Sequence, residues 1–253
     1  MEIKGRVAIV TGAAAGIGRA TAIRFAELGA RGVAIADVDE AGLDATKQLM
    51  TDAAAAVEVL VIPTDVTMVS ALENLYHDTL QRLGGLDIVF NNAGIVSGPP
   101  PFPDTEPERI KLVIDIDLAS VAVSTHFAVR HMRQKGGVII NTASTGGLNP
   151  YLADAPYAAA KAGVIMFSRS CKDLHKLYNI RVNAVCPGVT ETPILEKLGG
   201  GERPDWLVPI MENIKVLRPE DIAAAVVEII EDEELAGDYV IVANQPGSGE
   251  EAS

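Results

Sequence analysis

The sequence predicts an α/β protein: a doubly wound, parallel, seven-stranded sheet with helices on both faces. Three observations predict it. Short apolar runs alternate with amphipathic stretches along nearly all of the 253 residues. The runs are near-continuous rather than alternating, as parallel strands covered on both faces require. A glycine-rich turn follows the first run and opens a helix, so strand, helix and next strand join by right-handed crossovers. No linker or change of composition divides the series, and residues 1–253 read as one domain.

Taken in order, the apolar runs place strands at 6–11, 32–37, 57–62, 86–91, 137–143, 180–185 and 238–242. Helical periodicity fills the gaps at 17–28, 40–53, 69–83, 106–134, 155–177 and 220–230. Two segments break this rhythm. The proline cluster Pro99-Pro100-Pro101-Phe102-Pro103 reads as a stiff loop. Residues 192–213 are long, punctuated by Gly and Pro, and carry the only tryptophan, Trp206; a loop of that length inside a domain reads as a substrate lid. The small, acidic tail 247–253 is expected to fray. The acidic run 231–234 reads as a solvated helix end, poorly matched to the helix dipole.

Composition excludes several classes. A net charge of −13 speaks against nucleic acid as the main partner, because phosphate binding needs clustered Lys and Arg. Of the two cysteines, Cys171 and Cys186, neither sits in a CxxC, and they read as reduced thiols of a cytoplasmic protein. The first apolar run is too short for a secretory signal. The helical stretch 222–230 is broken by Glu228 and too short to span a bilayer, so no membrane partner is expected. His77, His126, His131 and His175 show no metal-ligand spacing, and no metal is expected.

Two constellations carry chemistry. The first is Thr11-Gly12-Ala13-Ala14-Ala15-Gly16-Ile17-Gly18. Glycines there permit a tight turn and close approach to a pyrophosphate, and the helix N-terminus offers N–H groups to its oxygens. The spacing is GxxxGxG, and an ordinary glycine turn is the alternative. Asp37 closes the second strand, 19 residues past Gly18. There a carboxylate can accept from both ribose hydroxyls and repel a 2′-phosphate, favouring NAD over NADP; alternatively it caps the next helix. The second constellation is Tyr157-Ala158-Ala159-Ala160-Lys161. At i and i+4 both side chains share one helix face, and an ammonium beside a phenol lowers the phenol's pKa toward working pH. The alternative is a core Tyr beside a snorkelling Lys. Ser144 ends the fifth strand, at the edge where open α/β sheets bind ligands.

Together these residues resemble the short-chain dehydrogenase/reductase family over nearly the whole chain, closest to its hydroxyprostaglandin dehydrogenase type. The resemblance rests on residues 11–18, Asp65-Val66, Asn91-Asn92-Ala93-Gly94, Ser144, Tyr157 to Lys161, and Pro187-Gly188 followed by Thr192. It implies a Rossmann-type fold and hydride transfer between a nicotinamide and an alcohol or carbonyl carbon. Gly12, Ala15, Gly16, Ile17, Gly18, Asp37 and Val38 would hold the cofactor, with Asp65 and Val66 at the adenine. Asn91, Ala93 and Gly94 would lie by the adenosine ribose, and Lys161, with Tyr157, by the nicotinamide ribose. Pro187, Gly188, Thr190 and Thr192 would flank the carboxamide and phosphate. A homotetramer is also implied. There are two departures. Asp117 stands where the family's catalytic tetrad has Asn, and residues 243–247 replace the usual C-terminal Asp-Gly-Gly.

The resulting expectation is an NAD(H)-dependent oxidoreductase that interconverts a secondary alcohol and a ketone on an apolar small molecule. Tyr157 is its acid/base, Lys161 lowers the phenol's pKa, Ser144 polarises the substrate oxygen, and Asp117 opposes the phenolate. Leu148, Tyr151, Ile194, Leu195, Trp206, Leu207 and Met211 are the expected pocket walls. The alternatives are an NADPH-dependent 3-oxoacyl carrier-protein reductase, against which Asp37 argues, and a catalytically weak NAD-binding sensor or scaffold.

Overall fold

The structure, a computed structural model, describes residues 1–247. Its first six strands are β1 (Val7–Thr11), β2 (Gly32–Asp37), β3 (Glu58–Pro63), β4 (Ile88–Asn91), β5 (Gly137–Thr142) and β6 (Ile180–Pro187). A two-residue β7 (Ile214–Lys215) then precedes β8 (Tyr239–Val242). The seven-stranded sheet is parallel throughout, in the order β3-β2-β1-β4-β5-β6-β8. Every residue of β1, β4, β5 and β6 is buried, which explains their unbroken apolar runs. The strand order reverses between β1 and β4, so the crevice beyond their carboxyl ends is where this topology receives a ligand.

Helices cover both faces. α1 (Gly16–Glu27) and α10 (Pro219–Glu231) pack one face. Their small residues Ala22, Ala26 and Ala225 let Phe25, Ile222, Val226 and Ile229 reach a core shared with β1, β2 and β5. On the other face α3 (Val69–Leu83) supplies Leu72, Leu75, Tyr76 and Leu83 to a second core with Phe127 and Met132. α2 (Glu40–Ala53) begins at Asp39, whose carboxylate accepts the Gly42 N–H at 3.0 Å.

Four sequence expectations need correction. The helix expected over 106–134 is α4 (Pro107–Ile114), a π-helical segment (Asp115–Ala119) and α5 (Ser120–Met132). That wider turn accommodates an extra residue and presents Asp117 inward, a use to which π segments are often put. The 107–132 stretch is also long and apolar enough to cross a membrane by length and composition. Here it lies within the helical layer over the sheet, with Val121, Phe127, Ala128 and Met132 in the core. Helix 155–177 divides into α6 (Ala155–Ser170) and α7 (Asp173–Tyr178). The loop 192–213 carries α8 (Ile194–Lys197) and α9 (Val208–Glu212), and β7 behind it pairs antiparallel with β9 (Gln245–Pro246). Gly247, placed in the fraying tail, donates its N–H to the Asn213 carbonyl at 3.0 Å; residues 248–253 lie outside the described residues.

The acidic end of α10 is compensated from β6. Arg181, 5% exposed, donates to the carbonyls of Ile229, Ile230 and Asp232 at 2.9, 2.6 and 2.7 Å. A guanidinium on the last carbonyls satisfies the helix end and its dipole.

Candidate active site

A cleft of about 600 Å³ opens over the carboxyl ends of the strands. Gly12, Ala15, Gly16 and Ile17 form one wall, with Asp37, Val38, Asp65 and Val66 at one end. Ala93, Gly94, Ser144, Tyr157 and Lys161 stand at the centre, and Pro187, Gly188, Thr190 and Thr192 opposite. Two expected cofactor residues do not face the cleft. Gly18 lies beneath the turn: a Cβ there would sit 2.2 Å from the Gly12 carbonyl oxygen, so its absence lets α1 close on β1.

Asn91 is the second. Its amide donates to Asn141 Oδ1 at 2.9 Å and its oxygen accepts from Ser124 at 2.6 Å, fully inside the protein. Tyr76 and Ser168 extend the network at 2.7 and 2.9 Å. A satisfied chain of this kind ties α3, α5, β4, β5 and α6 together and fixes the helix that bears Tyr157. The neighbour Asn92 takes the position at the cleft instead, its amide donating to the Thr11 carbonyl at 3.1 Å. Alternation along the strand end decides between adjacent asparagines, and the motif's spelling does not reveal the phase.

The glycine turn fits a dinucleotide. Gly12, at φ +64°, has no room for a side chain, since a Cβ would lie 2.8 Å from Ala93 Cα. Thr11 Oγ1 accepts the N–H groups of Asn92 and Ala93 at 3.0 and 3.1 Å, holding the facing loop against it. Asp37 accepts from Ala14 N–H and Asp39 N–H, each at 3.1 Å, and faces the cleft. The helix-capping alternative falls away because Asp39 caps α2. The nearby guanidinium of Arg19 is engaged by Thr46 and the Ala14 carbonyl, and does not line the cleft. The Asp37 carboxylate is thus held facing the cleft, where it would accept from a ribose 2′-hydroxyl and repel a 2′-phosphate.

At the cleft centre Lys161, 3% exposed, donates to the Thr142 carbonyl at 2.9 Å and pairs with Asp117 Oδ2 at 3.0 Å. Asp117 is fully buried, and its Oδ1 accepts the Ile95 N–H at 2.8 Å. Gly94 makes room for the pair, since a Cβ would come within 3.2 Å of Asp117 and 3.3 Å of Lys161 Nζ. Burial pushes the Asp117 carboxyl up, against the downward pull of Lys161 and the Ile95 N–H. The lysine lies 5.5 Å from the Tyr157 ring centre. Here the expected lowering of the phenol's pKa is overturned: burial first, and the Asp117 charge second, push Tyr157 up, while the Ser144 hydroxyl pulls it down. With its charge committed to Asp117, the ammonium does not offset the cost of a buried phenolate.

Asp154, which no motif singles out, organises the side of the cleft between Ser97 and Tyr157. It is 2% exposed and caps α6, accepting the Tyr157 N–H at 3.1 Å. It also accepts Ser97 Oγ and N–H at 2.7 and 2.6 Å, clamping the loop after Gly94 to α6. An Asp three residues before a helical Tyr is an N-cap signal that could have located it. Asn244 answers the missing Asp-Gly-Gly. Its side chain brackets Val189, accepting the N–H at 2.7 Å and donating to the carbonyl at 2.8 Å, and so pins the loop after β6. Of the expected walls, Tyr151, Ile194, Leu195 and Leu207 line the cleft. Leu148 packs instead against a core of Val121 and Val164, Trp206 is 42% exposed, and Met211 is also outside the lining.

Comparison with known proteins agrees with this geometry. Residues 6–203 match the short chain dehydrogenase family. Cis-4-hydroxycyclohexanecarboxylate dehydrogenase of Sinomonas cyclohexanicum is 38% identical over 230 residues, 90% of each chain. Human (Homo sapiens) 15-hydroxyprostaglandin dehydrogenase [NAD(+)] is 32% identical over an alignment of 261 positions, covering 98% of this chain and 94% of that protein. The crystal structure of levodione reductase superposes with a TM-score of 0.88 at 31% identity, covering 94% of this chain and 96% of that one. A match across most of the sequence, and a fold shared almost end to end, establish that this chain belongs to the short chain dehydrogenase family.

Proposed function

We propose that this protein is an NAD(H)-dependent oxidoreductase that interconverts a secondary alcohol and a ketone carried on an apolar body. One observation carries the reading: Ser144, Tyr157 and Lys161 meet at the centre of a cleft whose far end presents Asp37. In this reading residues 1–253 act as one dinucleotide-binding and catalytic domain. Gly12, Ala15, Gly16 and Ile17 hold the pyrophosphate, Asp37 and Val38 the adenosine ribose, and Asp65 and Val66 the adenine. Pro187, Gly188, Thr190 and Thr192 hold the nicotinamide end. When bound, the nicotinamide supplies the hydride acceptor or donor. Tyr157 moves the proton at the substrate oxygen, and the Ser144 hydroxyl donates to that oxygen and polarises it. Lys161, steadied by Thr142 and Asp117, reaches the nicotinamide ribose. Ile194, Leu195 and Leu207 present apolar surface from the 192–213 segment, which acts as a lid that excludes water. The relatives named for a hydroxycyclohexane ring and for a prostaglandin hydroxyl support an apolar secondary alcohol.

Steady-state turnover of a panel of apolar secondary alcohols and ketones tests this reading, run with both cofactors. NAD(H) is expected to exceed NADP(H) in efficiency by about a hundredfold, the scale of a like-charge clash at a binding site. Asp37→Ser with Val38→Arg moves the preference toward NADP(H). Equal use of the two cofactors by the unaltered enzyme would refute the role given to Asp37.

The assembly we propose is a cytoplasmic homotetramer. Met166 on α6 is 59% exposed, Leu112 on α4 is 37% exposed, and Ile241 on the edge strand β8 is 48% exposed. Apolar helix faces and an uncovered sheet edge suit isologous contacts. Light scattering should give four times the 26.6 kDa chain mass; a monomer at micromolar concentration would refute the assembly.

A further inference from the structure

Beside the main cleft lies a second hollow of about 530 Å³, lined by Ser97, Gly98, Pro99, Arg109, Lys197, Gly200 and Gly201. Lys197 lines both spaces. It sits on α8, two residues after Leu195 and three after Ile194, so one short helix presents apolar surface and then a cation. Of the charged residues around the main cleft, Asp37 and Asp65 are at the adenosine end and Lys161 is bound to Asp117. Among the described residues, only Lys197 remains at the substrate end.

The second hollow repeats the sign. Among the described residues its only charged side chains are Lys197 and Arg109, and neither forms an ion pair with an acid. Arg109 spends Nε on the Ser97 carbonyl at 3.0 Å and donates to the Val96 carbonyl as well, which holds the guanidinium at the rim. Of the carboxylates close by, Asp154 is buried behind Ser97 with both oxygens engaged by Ser97 and the Tyr157 N–H, and the exposed chain neighbours Glu108 and Glu196 form no ion pair with either cation. In a chain of net charge −13, two cations without acidic partners at one mouth are against the prevailing field. They favour an anion at the end of the apolar cleft away from the adenosine site.

We propose that the substrate carries a carboxylate at the far end of its apolar body, and that Lys197, with Arg109 beside it, receives that carboxylate. The proposal rests on the oxidoreductase reading above and narrows its substrate class. Tyr157 and Ser144 handle the alcohol or ketone, Ile194, Leu195 and Leu207 cover the apolar body, and Lys197, which lines both the cleft and the second hollow, reads the charge.

The test uses a matched pair with the NAD-bound enzyme: 4-cyclohexanolbutanoate and its methyl ester. The acid should be preferred about tenfold in kcat/KM, mainly through KM, the size of one charge-assisted contact partly screened by water. The preference should shrink as salt is raised. Lys197→Gln should bring the acid-to-ester ratio close to unity, and Lys197→Glu should invert it. Calorimetric titration of cyclohexanebutanoate into the NADH complex gives a readout independent of turnover, and Lys197→Glu should abolish the binding. If the ester is turned over and the acid is no better, the carboxylate proposal fails while the oxidoreductase reading stands. If neither is turned over but cyclohexanebutanoate binds through Lys197, the oxidoreductase reading fails and the anion site stands. A Lys197-dependent preference for a 3-oxoacyl thioester of coenzyme A over the acid would overturn the carboxylate in favour of a phosphate-bearing carrier.

Discussion

Tyr157→Phe should lower kcat by about a thousandfold, within the range of general acid–base contributions, while NADH affinity changes less than about twofold. The substitution removes one hydroxyl and leaves the ring. What holds the residue in place is untouched: Asp154 still accepts the backbone N–H at position 157, and the ring still packs near Tyr151, at 6.2 Å between centres. Lys161 keeps Thr142 and Asp117. The loss therefore falls on proton transfer alone. Steady-state rates set against fluorescence titration of NADH separate the two effects. Retention of more than about a tenth of kcat, above what losing an acid/base permits, would show that another group moves the proton.

Asp117 has the second large effect, and its two simplest variants should part company. Asp117→Ala leaves the buried Lys161 ammonium without its acid and should cost about 3–5 kcal/mol of stability, the penalty for breaking a buried pair from one side. Asp117→Asn keeps an oxygen for the Ile95 N–H and should fold. Its consequence lies in the pH profile. A negative charge beside Tyr157 favours the neutral phenol over the phenolate and so raises its pKa; this charge is second only to burial as a cause. Removing it lowers that pKa, so the alkaline limb of alcohol oxidation should move to lower pH, with activity near neutrality retained or raised. Thermal unfolding checks the first variant and a pH–rate series the second. An unmoved limb would reject the electrostatic role, and an inactive, folded Asn variant would show that the carboxylate itself handles a proton.

The difference between the expected and observed behaviour of Tyr157 shows where local reasoning ends. Spacing places Tyr157 and Lys161 on one face of α6, and so it proves: both line the cleft. The sign of the pKa shift depends on a third group, Asp117, 40 residues before Tyr157 and carried inward by the π segment. The place of Asp37 at the cleft was legible for the opposite reason, because its surroundings are local. The turn at Gly12–Gly16 and the cap at Asp39 lie next to it in the chain or across one strand pair.

Legible in the residues alone were the chain order of the seven sheet strands, the glycine turn at the end of β1, and the pairing of Tyr157 with Lys161 on one helix face. Each is a periodicity or a steric demand that operates within a few residues. Tertiary structure decided what depends on side chains from distant elements converging. It turned Asn91 into the buried network and Asn92 to the cleft. It set Asp154 between Ser97 and Tyr157, gave Asn244 the task of holding Val189, and took Leu148 and Trp206 out of the pocket wall. It also brought Arg109 and Lys197, 88 residues apart, to one mouth. The physical reason is the same throughout: backbone geometry repeats with a known period, whereas the partner of a buried polar group is chosen by desolvation, which acts only once the chain has packed.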